Sequence, residues 1–210
     1  MTYIDFHTHN RATPADTVAV VDGRDTWGIH PWHADEAYTV PDLTDKLAVG
    51  ECGLDALRGP SGAVQQQTLR RMAALSEACG KPLVLHCVRQ LDTLLSLRRE
   101  LKPTVPWMLH GFRGKPQQLQ SLLAAGFYVS FGFRHNAESL CLCPPGRLML
   151  ETDCDTAPVS ELYQTVATRR GLSVAALCTA MAENYRAFFR KEPLPGQNTA
   201  SAHKKMTERS

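Results

Sequence analysis

Six residues of metal-binding type stand out by their placement: His7, His9, Glu51, His86, His110 and Asp153. Each lies at the downstream end of a short apolar run, in TYIDFHTHN, KLAVGECGLD, PLVLHC, PWMLHGF and RLMLETDCD. Imidazole and carboxylate groups are ligands for zinc and other divalent first-row metals. His7 and His9 are two residues apart, and on a strand such side chains point the same way, so one strand end can offer both rings to one ion. Taken singly, each residue reads as a buried group with a hydrogen-bond partner. Taken together in one repeated context, they read as a metal site.

Short apolar runs bounded by Gly, Pro and polar residues indicate buried strands, and strands buried on both faces belong to a parallel sheet covered by helices. In a (β/α)8 TIM barrel the carboxyl ends of all strands open onto one face, which brings residues distant in sequence together. From Val64 the chain alternates as this fold requires. Helix-periodic QQQTLRRMAALSEAC, QLDTLLSLRREL, PQQLQSLLAA, SELYQTVATRR and SVAALCTAMAENYRAFF are separated by strand-like LVLHC, WMLHGF, FYVSF and RLMLETD. Pro116 and Gly126 bracket one helix with ordinary start and stop signals. Counting Thr17 to Val21 gives eight strands, the number a closed barrel needs. No helix is visible between Asn10 and Trp27, so the expectation is a trimmed barrel with the helices after its first two strands reduced to loops. Uncovered apolar strand faces favour association, and a loop or a second subunit would shield them; the expected state is a monomer or a weak homodimer.

One domain over residues 1–190 is expected, followed by a polar tail, 191–210, rich in Pro, Ser and Thr and expected to be disordered, with His203 solvated. The formal charge of +2 arises from 23 basic and 21 acidic residues. The tail holds four basic residues against two acidic ones, so the body is formally neutral. Such a body excludes a broad phosphate-binding surface but permits a small basic patch beside a site. No apolar run approaches the roughly 18 residues of a membrane span. A candidate ligand within ten residues of Met1 leaves no room for a cleaved leader, which points to the cytoplasm. The seven cysteines fit a reducing compartment. Cys52, Cys87 and Cys154 read as packing residues, and Cys141 with Cys143 lacks a second pair at zinc-site spacing.

The order of motifs resembles that of TatD-family metal-dependent hydrolases, a branch of the amidohydrolase-like TIM barrels. The matching segments are DFHTH, GIHPWH at Gly28 to His33, GECGLD at Gly50 to Asp55, LHC at Leu85 to Cys87, LHGFRG at Leu109 to Gly114, ETD at Glu151 to Asp153 and ENYRAFF around Asn184. The resemblance implies a two-metal site with His7, His9 and Asp153 at one ion, His86 and His110 at the other, and Glu51 bridging both. A carboxylate has an oxygen for each ion. The cofactors would be two divalent ions, zinc, manganese, nickel or iron, with magnesium able to serve in assays. Two such ions acidify a shared water and clamp the reacting centre, and Asp153 would add proton transfer to its role as ligand. The implied reaction is hydrolysis of phosphodiesters, a deoxyribonuclease trimming a DNA end. Typical members are longer, and the shortfall lies between His9 and Gly28, as in a short subgroup.

Other residues near these motifs are candidates for supporting roles. Arg89, Arg113 and Lys115 follow His86 and His110 by three to five positions, on loops at the same face, and are candidates for phosphate binding. Arg70, Arg71, Arg98 and Arg99 lie in helices and are expected to face solvent. His33 is a candidate substrate contact, His30 a hydrogen-bonding residue, and Asp55 and Asp155 candidates for orienting ligands. Trp27, Trp32 and Phe112 could stack a base, or simply pack. A small ester, lactone, amide or aminoacyl bond is the alternative substrate class on the same fold. An HxH-bearing phosphoesterase of the polymerase-and-histidinol-phosphatase type is disfavoured by GECGLD and GIHPWH. A metal-binding barrel acting as a binding module is the non-enzymatic reading.

Overall fold

The computed structural model describes residues 1–193; the expectations for the rest of the tail, His203 included, fall outside them. Eight strands occur in the order β1 (Tyr3–Thr8), β2 (Thr17–Val21), β3 (Thr26–Trp27), β4 (Ala48–Asp55), β5 (Leu83–Val88), β6 (Trp107–Leu109), β7 (Tyr128–Phe131) and β8 (Leu148–Leu150). Every ladder is parallel. One joins β1 to β2, and another runs continuously from β3 to β8. A bridge between Thr8 and Asp153 connects the two, with the Asp153 N–H donating to the His7 carbonyl and the His9 N–H to the Asp153 carbonyl. All eight residues of β4 are buried, as expected of a strand covered on both faces. The result is a parallel sheet with surrounding helices, a trimmed (β/α)8 barrel.

Six helices follow the later strands: α1 (Gly62–Cys79), α2 (Leu91–Leu101), α3 (Pro116–Ala124), α4 (Ala137–Leu142), α5 (Val159–Arg170) and α6 (Val174–Phe189). The predicted helices all form. In α6 the residues Leu177, Met181, Tyr185 and Phe188 recur at helical spacing and are buried, and the Ser173 hydroxyl accepts the Ala176 N–H at the start. Asn184 on the same helix donates from Nδ2 to the carbonyls of Pro145 and Leu148, fixing the entry to β8. The short α4 has no apolar periodicity long enough to be seen in sequence; Asn136 caps it by accepting the Ser139 N–H. Arg98 departs from expectation: it is half-buried, its guanidinium lying over the rings of Trp107 and Phe127.

Among the described residues no helix directly follows β1 or β2. A four-residue turn, Asp22 to Asp25, links β2 to β3, and among the described residues no ladder bond joins those two strands. Side chains close this seam instead. Asp25 Oδ2 accepts the Val21 N–H at 2.7 Å, and Asp22 Oδ1 accepts the Thr26 hydroxyl at 2.7 Å. The long loop after His33 supplies part of the cover that helices would give: Leu43 is buried in the core, Tyr38 packs on Trp27, and Lys46 Nζ donates to the Arg24 carbonyl. No helix among the described residues is long and apolar enough to cross a membrane.

Candidate metal centre and its surroundings

Glu51 lies in mid-strand, and two sets of histidines surround it. Its Oε2 lies 3.5 Å from His7 Nε2 and 3.6 Å from His9 Nε2. Its Oε1 lies 2.8 Å from His110 Nε2, 2.9 Å from His86 Nδ1 and 3.3 Å from His30 Nε2. Asp153 joins the first set, with Oδ1 3.6 Å from His9 Nε2. All six residues singled out as ligands by type therefore converge. Ligand atoms lie within 4.8 Å of one another in four triads among the described residues, His7–His9–Asp153, His7–Glu51–His110, His30–Glu51–His86 and His9–Asp22–Glu51. His86 and His110 share an oxygen of Glu51, but their closest groupings are with His30 and His7 rather than with each other.

Local backbone geometry produces this convergence. The register of β4 against β5 shifts between Val49 and Cys52, which turns Glu51 toward the barrel interior. Gly53 has φ +145°, and a methyl group there would collide with the His86 carbonyl oxygen, so only glycine lets β4 approach β5 this closely. His7 is fully buried near the end of β1, and His9, just beyond the strand's buried last residue Thr8, is exposed, its ring centroid 5.1 Å from that of His7.

The charges are mutually dependent. Burial opposes ionisation of Glu51, yet the imidazoles around it, His110 foremost, hold its carboxyl well below the usual range. Burial likewise opposes protonation of His110, but Glu51 and Glu151 together raise it well above an ordinary histidine. Contact with Glu51 raises His9. His7 stands apart: it is fully buried, and neither ring nitrogen has a hydrogen-bond partner among the described residues. Such an unpaired buried group costs roughly 1–3 kcal/mol. An electron-pair acceptor beside Nε2 would satisfy it, and the mixed imidazole and carboxylate donors nearby suit a divalent ion. The clustered residues are consistent with a two-metal active site.

A second layer holds the first. Asp55 Oδ2 sits 3.1 Å from His86 Nε2 and accepts the Trp32 indole N–H at 2.7 Å, while Oδ1 accepts the N–H groups of Leu57 and Arg58. Asp55 thus both orients a ring and caps a loop. Glu151 Oε1 lies 3.3 Å from His110 Nδ1 and accepts the Gly111 N–H. Asp5 binds the N–H and hydroxyl of Thr152 beside Asp153, and burial pushes its carboxyl up to about 7. Asp155 differs from expectation, since its contacts here run through the backbone: its N–H donates to the Thr152 carbonyl and its own carbonyl accepts from Asn10.

The comparisons with known proteins fit this geometry. A family model described as TatD related DNase matches residues 21–190. The chain belongs to that family. It is 31% identical over 202 residues to a 3'-5' ssDNA/RNA exonuclease TatD of Erwinia tasmaniensis, covering 78% of this chain and 77% of the relative. It is 29% identical to an uncharacterized metal-dependent hydrolase, YcfH, of Escherichia coli K12, covering 77% and 72%. The crystal structure of the TatD homologue YjjV of Escherichia coli shares the fold, with a TM-score of 0.78 at 19% identity over 90% of this chain and 98% of that one. This TatD-family protein is a metal-dependent hydrolase.

The remaining candidates have varied surroundings. Arg89 and Arg113 are exposed and line a cavity of about 1020 Å3 that also reaches His86, His110 and Asp153. Lys115 is exposed at the start of α3, outside that lining. His33 pairs with Glu36 at 2.7 Å and stays out of the cluster, its ring centroid 6.4 Å from that of His30. Phe112 is buried against Phe131, and Trp27 packs on Tyr38, while Trp32 remains 38% exposed with Arg58 over its ring. Of the three cysteines expected to pack, Cys52 is buried and Cys87 half-buried, whereas Cys154 is exposed.

Sequence reasoning missed Asp22 and Glu151, and it left His30 outside the cluster. The acid in the ETD motif was legible, but its direction was not. Asp22 lies in a turn whose path depends on the missing helices.

Proposed function

We propose that this protein hydrolyses phosphodiester bonds at a nucleic-acid end, with His7, His9, Asp153 and Glu51 holding one divalent ion and Glu51, His86 and His110 the other. The observation that carries this reading is the division of Glu51, with one carboxylate oxygen toward His7 and His9 and the other toward His86 and His110. Bound there, the ions would supply Lewis-acid stabilisation of the phosphoryl oxygens and acidify water. His30, on the same Glu51 oxygen as His86, is the donor best placed to join the second set.

The chain's own groups supply the rest. Asp153 lines the cavity with its side chain partly open, so its carboxylate can accept a proton from the attacking water and return it to the leaving oxygen. Arg89 and Arg113 flank the same cavity and suit a phosphate through paired N–H donors. Lys115 and His33 stand further out and would meet only a substrate extending beyond the first nucleotide. The name of the Erwinia relative, a 3'-5' ssDNA/RNA exonuclease, agrees with this substrate class.

The test is hydrolysis of an end-labelled DNA oligonucleotide by metal-reconstituted protein, beside Glu51→Gln and a chelated control. Stepwise shortening that disappears in both controls is expected. Two bound ions without cleavage of any phosphodiester would refute the proposal and shift the substrate to a small ester or amide.

A further inference from the structure

We propose that the seam between α2 and α3 is the track along which a single strand of nucleic acid leaves the metal centre. This inference rests on the phosphodiester reading above and adds where the substrate beyond the reacting end is held.

Two cavities carry it. The larger begins at His86, His110 and Asp153 and runs outward between the two helices. A second, of about 470 Å3, continues down the same seam as far as Arg99, and the two share Asp92, Leu95 and Ser121. The trough is therefore continuous with the hydrolytic site. Its floor is apolar, from Leu95, Leu109 and Phe112. Gln117 and Gln118 on its wall are exposed amides able to donate and accept.

The charges suit a strand rather than a small acid. Arg89 and Arg113 stand at the mouth and Arg99 at the far end, all exposed. Neighbouring Arg98 is already engaged with Trp107 and Phe127. Phosphates would follow the arginines, while Asp92, in the first turn of α2 where the two cavities meet, repels them and accepts from base N–H groups. From Leu91 to Arg99 the helix rises about 12 Å, room for roughly three to four nucleotides at a stacked rise of about 3.4 Å. A mononucleotide product would leave most of the trough empty, which matches a site acting on chain ends.

The test uses metal-reconstituted wild type, Ser121→Trp, which fills the junction of the cavities, and Arg99→Glu at the far end. Substrates are oligothymidylates of 2 to 12 nucleotides and bis-p-nitrophenyl phosphate. KM for wild type is expected to fall about tenfold up to roughly four nucleotides and then level off. Both variants should lose that gain while hydrolysing the small diester within about twofold of wild type. In parallel, anisotropy of fluorescein-labelled (dT)8 with chelated protein should show weaker binding by both variants, and a log K against log salt slope smaller in magnitude by about 0.7 for Arg99→Glu. Cleavage with no length dependence, or a dependence that survives both substitutions, overturns the track and leaves the phosphodiester reading intact. Strand binding that both variants lose, without hydrolysis of any diester, supports the track and refutes the phosphodiester reading.

Discussion

Asp22 Oδ1 accepts the backbone N–H of Glu51 at 3.2 Å, which joins the residue at the middle of the candidate metal centre to the turn that stands where a helix was expected to be reduced. The same oxygen accepts the Thr26 hydroxyl, and Oδ2 stands 4.0 Å from His9 Nδ1. The trimmed part of the barrel is therefore also the part that positions Glu51. Asp22→Ala leaves two donors without their acceptor, a loss of roughly 1–3 kcal/mol by the usual cost of an unmade bond. Asp22→Asn keeps an acceptor at that place and should lose less stability. Thermal denaturation of the chelated proteins measures this directly; equal midpoints for Asp22→Ala and wild type would show that the turn does not brace β4.

Asp55 acts on the other side of the site. Its Oδ2 is shared between His86 Nε2 and the indole N–H of Trp32, so the carboxylate fixes which nitrogen of His86 faces Glu51. Loss of such a partner usually costs about 10–100-fold in metal affinity or activity. Asp55→Asn should weaken one class of ion by that order, and Trp32→Phe, which keeps the ring but removes the N–H, should weaken it less in the same direction. Competitive metal titration distinguishes the classes. Unchanged affinity in both variants would assign the chain Trp32–Asp55–His86 to folding alone.

The different legibility of these features in the sequence has a physical basis. His7, Glu51, His86 and His110 end or interrupt apolar runs, and a parallel barrel carries such positions to one face whatever the loops do. The helices were readable for a similar reason, since Pro116 starts and Gly126 follows α3, and α6 repeats its apolar face over four turns. Asp22, Glu151 and His30 were not readable in the same way. Each owes its role to a loop or bend that brings it within reach of a partner at least 20 residues away. Local pattern is silent on such pairings. Arg98 shows a second limit: a charged residue at a surface-like helical position covers Trp107 because its stem and guanidinium are flat enough to lie on a ring.

Glu77 offers a pH test well away from the metal centre. On α1 it accepts the Thr104 N–H and hydroxyl and the Val105 N–H, tying the helix to the entry of β6. Although the burial it has raises its pKa, these hydrogen bonds, that of the Thr104 hydroxyl first, hold it below the ordinary glutamate value. A carboxyl lowered by folding contributes stability above its unfolded pKa and loses that contribution as pH falls through the folded value. Wild type should therefore be more stable than Glu77→Gln at pH 7, with the gap closing as pH drops below about 4.3. Melting curves of both proteins from pH 7 to pH 3 check this; a gap independent of pH would mean the ionised form makes no special contribution.

His7 ties stability to function most directly. Among the described residues neither of its buried ring nitrogens has a hydrogen-bond partner, and Nε2 only approaches Glu51 Oε2 at 3.5 Å, so in the chelated protein its desolvation is poorly compensated. Replacement by leucine removes two unpaired polar atoms from a buried position between Glu51 and the His110 ring. His7→Leu should melt at or above wild type in chelator, since an unpaired polar group costs more than a modest packing mismatch. Adding zinc or manganese should reverse the order. Binding to the native state stabilises wild type by about 2.7 kcal/mol at a free metal concentration of 100 Kd, while His7→Leu, lacking a donor to the His9 and Asp153 set, should gain less and lose hydrolysis. If the variant melts far below wild type in chelator, His7 is a structural residue first, and the buried unpaired imidazole does not mark a site kept for metal.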